Sequence, residues 1–258
     1  MIRIVRSLWV WFASATLILF WTPLLAVVRL TDRDPLRRRT GRWFRRLGRA
    51  LARVNPWRIH ISGAEHLDPR QVYVIVSNHQ SLADIPVLSH LGIDTKWMAK
   101  AELFKVPALG WMLRMAGDVP VNRRDRRKGR MALLQCARYL RQGLSVVCFP
   151  EGTRSHDGEV LPFAEGPFQL AIRESTPVLP LVVDGSGEAL PRGSWIFEGT
   201  RDIWLKVLEA VPVKGWDAHQ GGALRDVVRQ KIVDELGRMR KEHSPRLTPW
   251  ATIFRPAG

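Results

Sequence analysis

The stretch Val74-Ile75-Val76-Ser77-Asn78-His79-Gln80-Ser81-Leu82-Ala83-Asp84-Ile85-Pro86-Val87-Leu88 sets the fold. Residues 72–77 are apolar and mostly β-branched, as in a strand buried on both faces. A polar turn follows at 77–80, and a helix is predicted from about Ser81, over 81–90. A strand that feeds directly into a helix is the first half of a parallel crossover unit. The same alternation continues outward. Further strands are predicted at 94–98, 117–121, 145–149, 177–183 and 203–209, with helices at 103–116, 125–142, 166–174 and 221–241. The expected class is therefore α/β, with a mixed, largely parallel sheet flanked by helices.

The chain has 258 residues, enough for one substantial core. Forty Lys and Arg against 24 Asp and Glu give a net charge of +16. A charge of this size calls for an anionic partner: nucleic acid, an anionic membrane or an acidic ligand. The two cysteines, Cys136 and Cys148, are too few for a disulfide framework or a four-cysteine zinc site. They read as reduced, buried thiols.

The position of the charge separates the partners. Residues 29–53 hold ten Arg and two Asp, half the net excess in about a tenth of the chain. Residues 7–28 just before them carry no charge. As a helix they would extend ~33 Å, close to the thickness of a bilayer's hydrocarbon core. Trp9, Trp11 and Trp21 lie near its ends, and Pro23 should kink or end it. A cleaved signal peptide fits less well, because arginines rather than a small-residue cleavage site follow the run. Asp34-Pro35 then reads as a helix start, and Leu36, Trp43, Leu47, Leu51 and Val54 recur at helical spacing until Pro56. Two readings fit this basic amphipathic helix. It lies in the membrane interface with its arginines at the headgroups, or it packs on its own domain. An apolar anchor so close to the basic stretch, with no nucleic-acid motif, points to a membrane and away from nucleic acid. The arginine excess puts that flank on the cytoplasmic face, with the inner membrane as the expected location. Both a bilayer span and a shallow hairpin with 34–55 fit residues 7–28. The expected division is an N-terminal anchor with a basic helix at 1–57, a catalytic domain at 58–243 and a tail at 244–258.

Two short stretches carry candidate chemistry. His79 and Asp84 are five apart, so on one helix they would diverge by about 140°. They meet if His79 sits in the turn and Asp84 in the first helical turn. That gives a histidine base oriented by a carboxylate, with no protein nucleophile beside it. Ser81-x-x-Asp84 also resembles a capping box, in which Asp84 only caps the helix. His60, His66 and His90 have no comparable neighbours. The second stretch is Phe149-Pro150-Glu151-Gly152-Thr153-Arg154-Ser155, directly after the strand at 145–149. Gly152-Thr153 makes a tight turn whose N–H groups can face an anion, and Arg154 can bind phosphate through two N–H groups. Glu151 either holds Arg154 or meets a substrate hydroxyl. The plain alternative is a surface turn with an ion pair.

NHQSLAD and FPEGTRS, in this order and about 70 residues apart, resemble the glycerolipid acyltransferase family, which includes 1-acylglycerol-3-phosphate acyltransferases. Two further blocks are similar. One is 100–123, with Lys100, Glu102, Pro107, Gly110, Gly117 and Arg123 at the expected places, and the other is Pro177-Val178-Leu179-Pro180-Leu181-Val182-Val183. The resemblance covers roughly 70–185, plus the N-terminal membrane-binding region. It implies acyl transfer from acyl-CoA or acyl-carrier protein to a lysolipid hydroxyl. His79 would be the base and Asp84 its orienting carboxylate. Arg123, Glu151, Gly152, Thr153 and Arg154 would bind the acceptor. The resemblance implies no metal and no cofactor beyond the acyl donor as co-substrate. Asn78 and nearby backbone amides are candidates for the oxyanion.

This sequence departs from the family at Pro162-Phe163-Ala164-Glu165-Gly166, where many relatives carry a lysine thought to help bind phosphate. Losing a cation and gaining an anion should weaken phosphate binding unless Arg173 or Arg192 compensates. Another lysophospholipid or a lyso-ornithine lipid is then an alternative acceptor. The other basic residues of 123–130 are expected to face anionic lipid or the acidic donor, and Trp97 and Trp111 to be ordinary members of their elements. A non-catalytic lipid-binding protein of the same fold is disfavoured by the intact His79 and Asp84. An α/β hydrolase is disfavoured because Gly185-Ser186-Gly187 does not supply a nucleophile elbow.

Overall fold

The computed structural model describes residues 2–122, 125–197 and 199–243. Among the described residues, seven strands form one sheet: β1 (Trp57–Ser62), β2 (Val74–Ser77), β3 (Thr95–Lys100), β4 (Val119–Val121), β5 (Ser145–Cys148), β6 (Val178–Asp184) and β7 (Arg201–Val207). Their order is β1-β7-β6-β2-β5-β3-β4. Every pairing is parallel except that of β6 with β7. The mixed, largely parallel sheet expected from the alternation is therefore present. No strand is predicted at 57–62. β1 forms there as an edge strand whose alternate residues stay exposed, so its apolar signal is weak.

Successive residues of the central strands point to opposite faces, and both faces are buried. Val74, Val76, Val146, Cys148 and Val178 face α5 (Arg126–Arg141), α6 (Gly166–Arg173) and α8 (Gly221–His243). Ile75, Val147, Leu179, Leu181 and Val183 face α3 (Asp84–Leu88) and α7 (Ser186–Ala189) on the other side. Cys136 and Cys148 are buried thiols outside any disulfide, and burial pushes the Cys136 thiol up to about 12.

A third cluster joins the N-terminal helices to the domain. α1 (Ile2–Thr31) and α2 (Arg38–Val54) pack with α4 (Leu109–Ala116) around Leu25, Phe44, Leu47, Phe104 and Met112. This corrects the apolar side of the membrane reading of α2. Its apolar face is covered by its own protein, not turned toward a membrane. The large exposed apolar surface belongs to α1: Trp9, Phe12, Leu19, Phe20, Val27 and Leu30 face outward. Ser7, Val10, Ser14, Leu25 and Val28 form a narrow buried stripe on its other side. Trp111 is exposed on α4, so it is not a core residue.

Some boundaries also differ. α1 does not end at Pro23 but continues to Thr31, and Leu25 and Val28 beyond the proline are buried. Asp34 accepts from the N–H groups of Leu36 and Arg38, but α2 begins only at Arg38, after a turn at Pro35-Leu36. The helix expected at 103–116 is split. A 3-10 turn covers 101–105, and Val106 is extended because it precedes Pro107. The tail from 244 lies outside the described residues.

Candidate active site

The site is built at the carboxyl ends of β2 and β5, where two turns meet. Asn78 anchors the first turn. Its carboxamide donates to Val183 O and accepts from Val183 N, both at 2.8 Å, continuing the pairing of β2 with β6 through a side chain. Asn78 is thereby held at both ends of its carboxamide by one residue of β6. The carbonyl of the next residue, His79, accepts from Ser155 N at 2.8 Å, and its N–H donates to Glu151 Oε1 at 2.8 Å. Both backbone groups of His79 are thus held by the turn that follows β5.

The imidazole is held as firmly. His79 Nδ1 lies 2.6 Å from Asp84 Oδ2, and its ring stacks on Phe149 at 4.1 Å between centroids. Asp84 is fully buried at the first position of α3. The same Oδ2 accepts from the N–H groups of Gln80 and Ser81 at 2.8 and 3.0 Å. Asp84 therefore caps the turn and orients His79 together; the two readings of the sequence are not alternatives. Ser81 does not complete a capping box, since its hydroxyl donates to Leu190 O. With Nδ1–H directed at a carboxylate, the imidazole's lone pair sits on Nε2, which has no hydrogen bond to a described residue.

The second turn carries Glu151, Gly152, Thr153 and Arg154. Gly152 has φ +82, which favours glycine at this bend. Thr153 is exposed and Arg154 half-buried. The Arg154 side chain makes no hydrogen bond or ion pair with a described residue, so its guanidinium is free for a ligand. Glu151 does not hold Arg154. It turns inward to His79 N, and its Oε2 is buried without a hydrogen-bond partner among the described residues. Burial raises the Glu151 carboxyl to about 7, against the opposing pull of the hydrogen bonds from the His79 and Leu161 backbones. Arg123 lies outside the described residues.

Sequence reasoning names Arg192 only as a possible phosphate cation and gives Phe149 no role. Phe149 belongs to the quoted block, but only the fold stacks it on His79. Arg192 donates from Nη1 to Arg154 O at 3.0 Å and lies 2.6 Å from His156 Nε2, tying the second turn to the loop after α7. Two cavities flank the turns. One, of about 510 Å³, is lined by Met98, Val121, Leu133, Phe149 and Phe163, with Glu151 at its edge. The other, of about 630 Å³, is polar and includes Gln80, Ser155, Asp184 and Arg192. Ala164 lines the apolar cavity. Glu165 accepts from Gln169 Nε2 at 2.7 Å, and a side chain on Gly221 would lie 3.0 Å from its Oε1. Its charge is thus drawn toward the start of α8.

Residues 58–184, which contain both turns, match the family model described as Acyltransferase. The chain is 38% identical over 207 residues to a chloroplastic 1-acyl-sn-glycerol-3-phosphate acyltransferase of Arabidopsis thaliana, covering 79% of this chain and 56% of the relative. It is 34% identical to the chloroplastic enzyme of that name from Brassica napus, over 79% of this chain and 58% of the relative. The chain thus spans a little over half the length of these two. A third relative of that name, from Chlamydomonas reinhardtii, is 31% identical over 88% of this chain and 67% of its own length. The crystal structure of the 1-acyl-sn-glycerophosphate acyltransferase PlsC from Thermotoga maritima superimposes with a TM-score of 0.78 at 26% identity, covering 92% of this chain and 96% of that one. On this shared sequence and fold, the chain belongs to the acyltransferase family.

Proposed function

We propose that the protein transfers a fatty acyl group from an acyl thioester to the free hydroxyl of 1-acyl-sn-glycerol-3-phosphate, forming phosphatidic acid. The observation that carries this is the His79–Asp84 contact at 2.6 Å, which leaves Nε2 open. Nε2 takes the acceptor's hydroxyl proton as that oxygen attacks the thioester carbonyl. Asp84 stabilises the imidazolium that forms. The tetrahedral intermediate collapses, the C–S bond breaks, and the imidazolium returns the proton to the leaving thiolate. Backbone N–H groups near the turn stabilise the oxyanion.

Arg154, with Gly152, Thr153 and Arg123, holds the acceptor's phosphate. Glu151 serves as a positioning residue through the His79 backbone. The apolar cavity beside Phe149 suits an acyl chain. The lysophosphatidic acceptor is favoured over the alternatives because the relatives from Brassica napus, Arabidopsis thaliana and Chlamydomonas reinhardtii are 1-acyl-sn-glycerol-3-phosphate acyltransferases by name. The donor is acyl-CoA or acyl-carrier protein, and no other cofactor is invoked.

The same reading places the protein on the cytoplasmic face of the inner membrane. α1 is ~45 Å long, yet both its ends are tied to the catalytic domain. Ser7 Oγ accepts from Phe197 N at 2.8 Å, and Leu25 packs in the cluster with Met112. A helix held along its length lies in one leaflet with its exposed face in lipid, so residues 7–28 do not span.

The test is an acyl-transfer assay on purified protein with one long-chain acyl-CoA. Lysophosphatidic acid, lysophosphatidylcholine, lysophosphatidylglycerol and lyso-ornithine lipid serve as acceptors, and His79→Ala as the blank. Preference for lysophosphatidic acid is expected. Full activity of His79→Ala would sink the assignment of the base.

A further inference from the structure

The amino ends of β3 and β5 border a cavity of about 240 Å³ between α2 and the turn leading into β3. It lies at the opposite end of the sheet from His79, which follows the carboxyl end of β2. α2 contributes Arg38, Arg42, Arg45, Arg46 and Arg49 to its lining, spaced at three and four so that they share one helix face. Lys96 also lines it, although its side chain is 1% exposed. Among the described lining residues, Asp94 is the single carboxylate.

The charges do not balance. Arg38 pairs with Asp34 at 3.3 Å, Arg42 with Asp94 at 2.9 Å, and Arg45 with the buried Asp118. Arg46, Arg49 and Lys96 have no carboxylate partner among the described residues. Arg45 is 8% exposed, its guanidinium lies over the rings of Phe44 and Trp97, and its buried Nε has no hydrogen-bond partner among the described residues. A buried donor without an acceptor destabilises the fold, and repulsion between the cations adds to that cost. The backbone holds α2 close despite this. A side chain on Gly48 would come within 2.3 Å of Ser89 Oγ, which lies in the same lining.

We propose that this cavity is a second anion site, separate from the catalytic turns, and that it holds a phosphate group. Phosphate offers several acceptor oxygens to a set of forked donors, which is the geometry arginine matches best. The cavity is smaller than the ~300–1,000 Å³ of sites that enclose drug-sized ligands, so a headgroup or a small phosphate fits and a nucleotide does not. α2 packs on α1, whose exposed apolar face is suited to lipid, so the source we assign is the phosphate of an anionic phospholipid.

The test uses the full chain in detergent and compares R46E/R49E with R39E/R53E. The second pair makes the same change of charge at arginines of α2 outside the cavity. Inorganic phosphate is titrated while thermal unfolding is followed. Binding is then measured to vesicles of phosphatidylcholine alone or with one-fifth phosphatidylglycerol. A saturable rise in unfolding temperature is expected for the unmodified protein and for R39E/R53E, and its loss in R46E/R49E. Vesicle binding should be at least about tenfold weaker in R46E/R49E than in R39E/R53E, in phosphatidylglycerol vesicles only. A phosphate effect lost in R46E/R49E with equal vesicle binding by both pairs would keep the anion site and overturn the lipid source. Equal behaviour of the two pairs in both assays would overturn the site itself. If R46E/R49E does not fold, R46Q/R49Q takes its place. Neither assay measures acyl transfer, so the result does not depend on the proposed reaction.

Discussion

Replacing Glu151 by glutamine tests whether a buried carboxyl beneath His79 governs stability against pH. Oε1 accepts from His79 N, and a glutamine oxygen can do the same, so the turn should keep its shape. Burial raises the Glu151 carboxyl from 4.5 to about 7. Between those values the folded protein holds a proton that the unfolded chain has released. The stability of the unmodified protein therefore falls as pH rises through this window, and stays lowered above it. At ~1.4 kcal/mol per pH unit the interval is worth on the order of 3 kcal/mol. The glutamine side chain of Glu151→Gln carries no charge at any pH. The stability difference between the variant and the unmodified protein should thus shift by that amount in the variant's favour between about pH 4.5 and pH 8. For a chain of this size it corresponds to roughly 6–12 °C in unfolding temperature. Thermal unfolding of both proteins in the same detergent across this range measures it. Comparing the two cancels the titration of the other histidines and carboxylates. Parallel pH profiles would refute the reasoning, since Glu151 would then titrate as an ordinary surface carboxylate.

Three further outcomes are expected. Asp84→Asn should lower kcat by roughly 10²–10⁴ with a smaller change in KM, because the imidazolium loses its stabilising charge; steady-state kinetics with lysophosphatidic acid would show it, and an unchanged kcat would leave Asp84 only its capping role. Gly110→Ala should destabilise the fold by about 1–3 kcal/mol, because its Cβ would come 2.3 Å from the backbone oxygen of Phe104; a denaturant midpoint equal to that of the unmodified protein contradicts the packing at the start of α4. Leu19→Glu with Phe20→Glu puts two charges on the exposed face of α1 and should move the protein from the membrane to the soluble fraction without altering its unfolding temperature by more than a few degrees; continued sedimentation with membranes would show that this face does not bind lipid.

The pairing of His79 with Asp84 is visible in the sequence because a turn and the helix after it are local. His79 and Asp84 lie five residues apart, and the strand before them fixes where the turn falls. Arg154 is visible for the same reason, as part of a short block that follows a predicted strand. Glu151 is found in the same block, but not its direction. Its partner, His79 N, is 72 residues away, so the block alone does not say whether the carboxylate turns to Arg154 or to the histidine. The partner of Asn78 is hidden in the same way, since Val183 engages it across 105 residues.

By itself, the sequence determined the alternation of strands and helices, the buried character of the central strands, the apolar first helix and the two chemical turns. Each of these is written in the period or spacing of neighbouring residues. Only the tertiary structure decided that β7 runs antiparallel to β6, that β1 closes the sheet edge, and that α2 turns its apolar face to α1 and α4. It alone decided that α1 is gripped at Ser7 by the backbone of Phe197, 190 residues away. An apolar face records only that it must leave water. Whether lipid or protein covers it depends on which distant surface the folded chain brings to meet it.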